Sequence, residues 1–477
     1  MLYGKLYIDG QWRESRDRAV LDVHDPATGL VMGHAAAATP ADVTDALDAA
    51  GRAAPGWRDA DPWQRSAVLR RAAALLAGDI DGLSQVLSGE QGKPRGEARA
   101  ELMTAAEIID WCADEARRIY GRTIPARSPG TRLLVTRHAV GPVAAFTASN
   151  FPALLPARKL GAALAAGCPV VLKPAEQTPF TALRIAGIFH EAGLPAGVLN
   201  VVTGDPAPIA DQLLASPVIG KISLTGSVPV GKRLLAAAAD RVLPASMELG
   251  GHAAGLVFAD ADLDATADAI VAGKWRNCGQ VCIALSRLFV QQPVLDKLTE
   301  MIASRMAGLR VGPASDPASQ VGPLLDEKAR GRAEALLADA VAAGGRVLAG
   351  GRRPPHRPEG YFYEPTLVSG AGPRARIWRE EPFGPVLPVA PFTDLADGLE
   401  RANETPFGLS SFVFTRDLET AMRASDGLEC GMVGVNSLVI ATAEAPAGGI
   451  GESGFGREGG SEALTDYTVT KYVNIRL

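Results

Sequence analysis

A chain of 477 residues is too long for a single hydrophobic core, so two or more domains are expected. Hydrophobic residues at 47% and charged residues at 21% supply ordinary globular cores and exclude bulk disorder. A net charge of −5 argues against a nucleic-acid partner.

In chain order, the stretch Met1 to Gly10 lacks the apolar run of a secretory leader and reads as a short strand and turn. A helical region follows, and then a β-rich segment from Arg122 to His138. From Gly141 to Phe258, β-rich runs alternate with alanine- and leucine-rich ones, the pattern of parallel strands joined by crossover helices in a Rossmann-like sheet. The strand candidates are Val143 to Phe146, Val170 to Leu172, Val198 to Val202 and Ile219 to Leu224. Helices are expected over Pro156 to Ala166, Pro179 to Ala192 and Pro206 to Ala215, with prolines near several first turns. The alternation restarts with a strand at Ala254 to Val257, a helix from Asp262 through Trp275 and a strand at Leu285 to Val290, which predicts a second α/β domain. Arg346 to Pro358 is basic and proline-rich and reads as a surface excursion, while Leu464 to Ile475 ends the chain in β-rich style. The longest uncharged apolar run, Leu160 to Leu172, is too short to cross a bilayer and contains Pro169, so no membrane partner is expected.

Five cysteines, Cys112, Cys168, Cys278, Cys282 and Cys430, are odd in number and scattered, which fits the reducing cytoplasm rather than a disulfide framework. Cys278 and Cys282 have no second cysteine pair or nearby histidine to complete a zinc set, and no metal is expected.

Three short motifs carry candidate chemistry. Gly279-Gln280-Val281-Cys282 puts a lone cysteine just after a turn residue, where a tight bend can hold a thiolate. Met247-Glu248-Leu249-Gly250-Gly251 sets a carboxylate among apolar residues and glycines, where desolvation raises its pKa toward that of a general base. Asn150, in Thr147-Ala148-Ser149-Asn150-Phe151-Pro152, is a neutral amide donor of the kind that stabilises an oxyanion. Alone, each also has an ordinary reading: a packed cysteine, a solvated turn glutamate, a turn asparagine. Gly226 to Gly231 follows a strand and opens a helix, so its amides and the helix dipole could meet a pyrophosphate, although it is not the usual three-glycine fingerprint.

In order and spacing these motifs resemble the aldehyde dehydrogenase superfamily over almost the entire chain. The likeness includes Lys173-Pro174-Ala175-Glu176-Gln177-Thr178-Pro179, Glu380-Glu381-Pro382-Phe383-Gly384-Pro385-Val386, Gly431 to Asn436 and Ser453 to Gly459. With the strand pattern, the resemblance implies an NAD-binding domain over 1–121 and 141–250 and a catalytic domain over 251–443. It also implies a connecting segment at 444–463 and a β-rich oligomerisation arm from 122–140 and 464–477, serving a homodimer or homotetramer.

The resemblance further implies that Cys282 attacks an aldehyde, with Asn150 and the Cys282 amide holding the oxyanion, hydride passing to NAD, and Glu248 activating water to release the acid. Lys173 and Glu176 would contact the adenosine ribose, Gly226, Ser227 and Gly231 the phosphates, and Glu381 and Phe383 the nicotinamide side. A carboxylate at Glu176 repels an added 2′-phosphate, which favours NAD over NADP. Ser149 stands where the family commonly has Trp. Within the superfamily the likeness is greatest to succinate-semialdehyde dehydrogenases, whose carboxylate-binding positions match Arg158 and Arg276, assisted at Thr442 by a hydroxyl. Ala447 stands where that branch usually has Phe, so a bulkier semialdehyde, or a neutral or aromatic aldehyde, is the runner-up substrate. A non-catalytic dinucleotide-binding protein is the alternative of another class.

Overall fold

The computed structural model describes residues 1–477. Its first sheet has eight strands. The order is Gly454–Phe455, Ala245–Glu248, Lys221–Thr225, Val143–Phe146, Val170–Lys173, Leu199–Val201, Leu6–Ile8, Gln11–Arg13. The five strands from Ala245–Glu248 to Leu199–Val201 run parallel. Both faces are covered, as the unbroken apolar character of such strands requires. Val143 and Ala145 point into one core with Leu160 and Leu164, while Ala144 and Phe146 point into the other with Ile209 and Leu234. The crossover helices Pro179–Glu191, Pro206–Ala215 and Val228–Ala239 each begin with a proline in the first turn, where its missing N–H costs nothing.

Strand order runs outward from Val143–Phe146 in both directions, since the chain visits Val170–Lys173 and Leu199–Val201 on one side and returns to Lys221–Thr225 on the other. The carboxyl ends of Val143–Phe146 and Lys221–Thr225 therefore flank a topological switch point, where open α/β sheets leave a crevice. Asn150 and Gly226 lie just beyond those two ends.

A second sheet of seven strands is ordered Arg346–Ala349, Thr366–Ser369, Val386–Phe392, Arg287–Gln291, Ala254–Val257, Ser410–Phe414, Met432–Val435, parallel except at its first edge. That edge corrects the reading of 346–358 as a surface excursion. Arg346–Ala349 pairs antiparallel with Thr366–Ser369, its alternation hidden by the glycines and prolines that follow.

A third, three-stranded sheet joins Thr468–Arg476 to Thr131–Ala139 and Arg122–Ile124. The terminal strand starts later than expected, at Thr468. A short helix, Glu462–Thr465, comes first and buries Leu464 in the core against the first sheet. Gly454–Phe455, from the segment between the second and third sheets, adds to the first sheet beside Ala245–Glu248. No helix is long and apolar enough to cross a membrane.

Candidate active site

The helix Leu263–Lys274 ends in a turn in which three successive residues are left-handed: Asn277 (φ 50°), Cys278 (φ 54°) and Gly279 (φ 74°). Glycine takes this conformation freely, but each L-residue there costs about 1–2 kcal/mol, less for asparagine. Contacts from far away in the chain hold the bend. The Asn277 N–H donates to Glu97 Oε2 at 2.7 Å, and Asn277 Nδ2 donates to the Asn150 carbonyl at 2.9 Å. Trp275 Nε1 and Lys274 Nζ donate to the carbonyls of Pro385 and Gly384 at 2.9 and 3.1 Å. A Cβ on Gly279 would strike the Gly384 carbonyl. Cys282 follows in a second turn, closed by the Ala284 N–H on the Val281 carbonyl.

Glycines bring the other motifs against this turn. A Cβ on Gly251 would lie 2.9 Å from the Cys282 carbonyl, and one on Gly250 would collide with Glu381. Glu248, at the end of its strand, is thus set beside the cysteine turn. Its Oε1 is buried without a hydrogen-bond partner. Burial pushes its carboxyl well above the usual range, the charge of Glu458 adds to this, and Lys159, Arg158 and Arg457 oppose it. The Cys282 thiol is pushed up to about 12, first by burial and then by Glu381 and Glu248, with Arg158 opposing. Cys278 is fully buried in the core against the second sheet, and burial raises its thiol too. One N–H of Asn150 Nδ2 donates to the Gln280 carbonyl at 3.0 Å, tying this amide to the segment that leads into Cys282.

Cys282 and Glu248 open onto one cavity of about 300 Å³ whose wall also includes Arg158, Arg276, Phe151 and Ala447. Arg158 is only 6% exposed and donates to the Glu458 carbonyl at 3.3 Å. Arg276 is exposed, with its guanidinium 5.6 Å from the Phe151 ring centre. Thr442 does not line this cavity, which corrects its expected place beside the arginines. The neighbouring Ala441 lines it instead, and the Thr442 carbonyl faces Gly459.

Sequence reasoning passed over three groups near this cavity. Lys159 Nζ, buried, lies 2.9 Å from Glu458 Oε1 and donates to Ser223 Oγ at 3.0 Å, with the Tyr467 hydroxyl donating to the same oxygen at 3.0 Å. Lys93 Nζ lies 2.5 Å from Glu101 Oε2 and donates to the Asn150 carbonyl at 2.8 Å. Glu97 is the third. The detectable signal was charge inside an apolar helix: Arg158 and Lys159 interrupt Leu154–Ala165, all but the first residue of which is buried.

The switch-point crevice has groups that suit a dinucleotide. Ser227 precedes the helix Val228–Ala239 without capping it through its side chain, so the amide end is available to an anion. Thr225 Oγ1, one residue before the loop, is buried without a partner. Gly231 packs so closely that a Cβ would lie 2.7 Å from Leu249. At the end of the next strand, Lys173 is 3% exposed and its Nζ lies 2.7 Å from Glu176 Oε2, whose side chain is 37% exposed. Burial lowers the Lys173 ammonium, and Glu176 opposes that. Glu381 Oε1 accepts the Gly251 N–H at 3.3 Å and its carboxyl is pushed up to about 7 by burial. Phe383, two residues on, is left-handed (φ 43°). The chemistry of these groups suits a nicotinamide dinucleotide.

A family model described as the aldehyde dehydrogenase family matches residues 12–473. The chain is 41% identical to succinate-semialdehyde dehydrogenase [NADP(+)] of Escherichia coli over 98% of this chain and 97% of that protein. It is 41% identical to glutarate-semialdehyde dehydrogenase of Pseudomonas putida, with the same coverage. The crystal structure of succinate-semialdehyde dehydrogenase from Burkholderia pseudomallei superposes with a TM-score of 0.98 at 40% identity, over 99% of this chain and 98% of that one.

Proposed function

The chain belongs to the aldehyde dehydrogenase family and oxidises aldehydes, and on that premise we propose that its substrate is an acid semialdehyde, its cofactor NAD and its nucleophile Cys282. One observation carries the substrate assignment: Arg158 and Arg276 line the same cavity as Cys282. Guanidinium groups suit a planar carboxylate, so the far end of the substrate is held while its aldehyde meets the sulfur.

The Cys282 thiol gives up its proton to water as its sulfur adds to the carbonyl carbon, and the carbonyl oxygen, now anionic, accepts hydrogen bonds from Asn150 Nδ2 and the Cys282 N–H. Glu381 and Phe383 would hold a nicotinamide beside this carbon, and the bound dinucleotide would supply the hydride acceptor. The acyl group then rests on Cys282 as a thioester. Glu248 removes a proton from water as the water oxygen attacks the acyl carbon, the carbon–sulfur bond breaks and the acid departs. Its raised pKa suits it to hold that proton, and the unpartnered Oε1 is free to accept one.

The Glu176 carboxylate supports NAD over NADP, since a 2′-phosphate at the same ribose edge meets its charge. The Escherichia coli relative is an NADP(+) enzyme by name, which makes the cofactor comparison decisive for this chain. A longer or bulkier acid semialdehyde is the second reading. Ala447 leaves room in the cavity, and the Pseudomonas putida relative is named for glutarate semialdehyde. The open edge of Thr468–Arg476, with Val469 and Tyr472 exposed, supports assembly into a homodimer or homotetramer through this arm. Five free cysteines support a cytoplasmic location.

The substrate reading is tested by comparing succinic and glutaric semialdehydes with neutral aldehydes of matched length, in the wild type and in Arg158→Ala and Arg276→Ala. Acid semialdehydes should win by about a hundredfold in kcat/KM, and each substitution should remove most of that advantage. An unchanged ratio in both variants rejects the clamp.

A further inference from the structure

The helix Arg95–Glu115 forms one wall of the cavity, and the chemistry above leaves its carboxylates unused. Glu101 is spent on three partners: its Oε2 pairs with Lys93 at 2.5 Å, and its Oε1 accepts the Ala153 and Leu154 N–H groups at 2.8 and 3.1 Å, capping the next helix. Glu97, one turn earlier, has a different partner, the peptide N–H of Asn277, across 180 residues of chain. That N–H belongs to the first of three consecutive left-handed residues, two of which are not glycine.

We propose that Glu97 is a positioning residue for catalysis: by accepting the Asn277 N–H it holds the left-handed turn that aims Cys282 at the substrate. The inference rests on Cys282 being the nucleophile. Without the acceptor, the Asn277 N–H is left unpaired and the strained left-handed pair Asn277 and Cys278 loses its backbone anchor, keeping only the side-chain contacts around it, so that a shift toward the right-handed region redirects the chain just ahead of Cys282. The oxyanion donor moves with it. Asn277 Nδ2 donates to the Asn150 carbonyl, and Asn150 Nδ2 donates to the Gln280 carbonyl, so the turn and Asn150 are tied by two hydrogen bonds in opposite directions. Placement errors of about 1 Å at a reacting centre cost on the order of a hundredfold in rate.

The role demands an acceptor at the right reach and does not demand a charge. Glu97→Gln keeps reach and acceptor, Glu97→Asp keeps the charge but is one methylene too short, and Glu97→Ala keeps neither. Each is assayed with an acid semialdehyde and a neutral aldehyde for kcat, for the KM of both substrates, for the pre-steady-state rate of NADH formation, and for melting temperature. Ala and Asp should lower kcat and the NADH burst rate by about tenfold or more for both aldehydes, with the cofactor KM unchanged, while Gln stays within about threefold of wild type. Wild-type rates in Glu97→Ala overturn the proposal. So does the opposite ranking, Asp active and Gln impaired, which assigns the effect to charge. If Glu97→Ala fails to fold, the Asp and Gln pair still decides. Cys282→Ala runs as the control: turnover surviving there rejects the nucleophile, and this proposal with it, whatever the Glu97 variants do.

Discussion

Two glycine-bearing loops meet at the crevice, and they are built on different principles. Gly226 to Gly231 is a local device: a strand ends, a serine leaves the helix uncapped, and a glycine lets the helix approach Leu249. The cysteine turn is held from elsewhere, by Glu97, Asn150, Gly384 and Pro385, none of them a sequence neighbour. The loop proposed to bind is encoded in six consecutive residues, whereas the one proposed to aim a reacting atom draws on three distant segments, at Glu97, Asn150 and Gly384-Pro385.

The largest expected effect separates chemistry from binding. Cys282→Ala should lower aldehyde oxidation by at least about a thousandfold while NAD affinity, measured by calorimetry, stays near wild type. Cys278→Ala should be far milder, because that thiol packs in the core. A large loss of cofactor affinity in Cys282→Ala would mean that the two loops are not separable.

Glu248→Gln should come next. Steady turnover should fall by about a hundredfold, but the first burst of NADH should persist, since the role proposed for this carboxylate begins after hydride has left. Rapid-mixing absorbance distinguishes the two phases, and a burst slowed as much as the steady rate would assign Glu248 to the first half of the reaction.

The backbone contrast is sharpened by paired glycine substitutions. Gly279→Ala forces a side chain into φ +74° and against the Gly384 carbonyl, a cost of about 1–2 kcal/mol from the backbone conformation before the clash is added. Gly231→Ala meets only the flexible end of Leu249 and has no positive φ to pay for. Melting temperature and kcat should therefore both fall further in Gly279→Ala, and equal losses would erase the distinction.

The smallest effect lies at the ribose edge. Glu176→Ser should narrow the preference of kcat/KM for NAD over NADP by about tenfold. No change would remove Glu176 from cofactor selection.

The same contrast explains what could be read without coordinates. The strands Val143–Phe146 and Ala254–Val257 and the helix Pro206–Ala215 matched their expected limits, since apolar runs and proline punctuation are local signals. The aldehyde dehydrogenase resemblance likewise rested on contiguous motifs. Glu97 and Lys93 escaped notice because a glutamate and a lysine at a helix start look like solvated charge. Only the fold turns Glu97 toward Asn277 and buries Lys93 against Asn150. Thr442 shows the opposite limit: the resemblance reached the right segment, and the neighbouring Ala441 forms the cavity wall.

The two acceptors on Arg95–Glu115 have a consequence for hydrogen exchange. The amide protons of Ala153, Leu154 and Asn277 come from both sides of the cavity, and carboxylates of one helix hold all three. If that helix start opens as a unit, the three protons become labile in one event and should show a common protection factor, although more than a hundred residues separate the last from the first two. The floor and the wall of the cavity then loosen together or not at all.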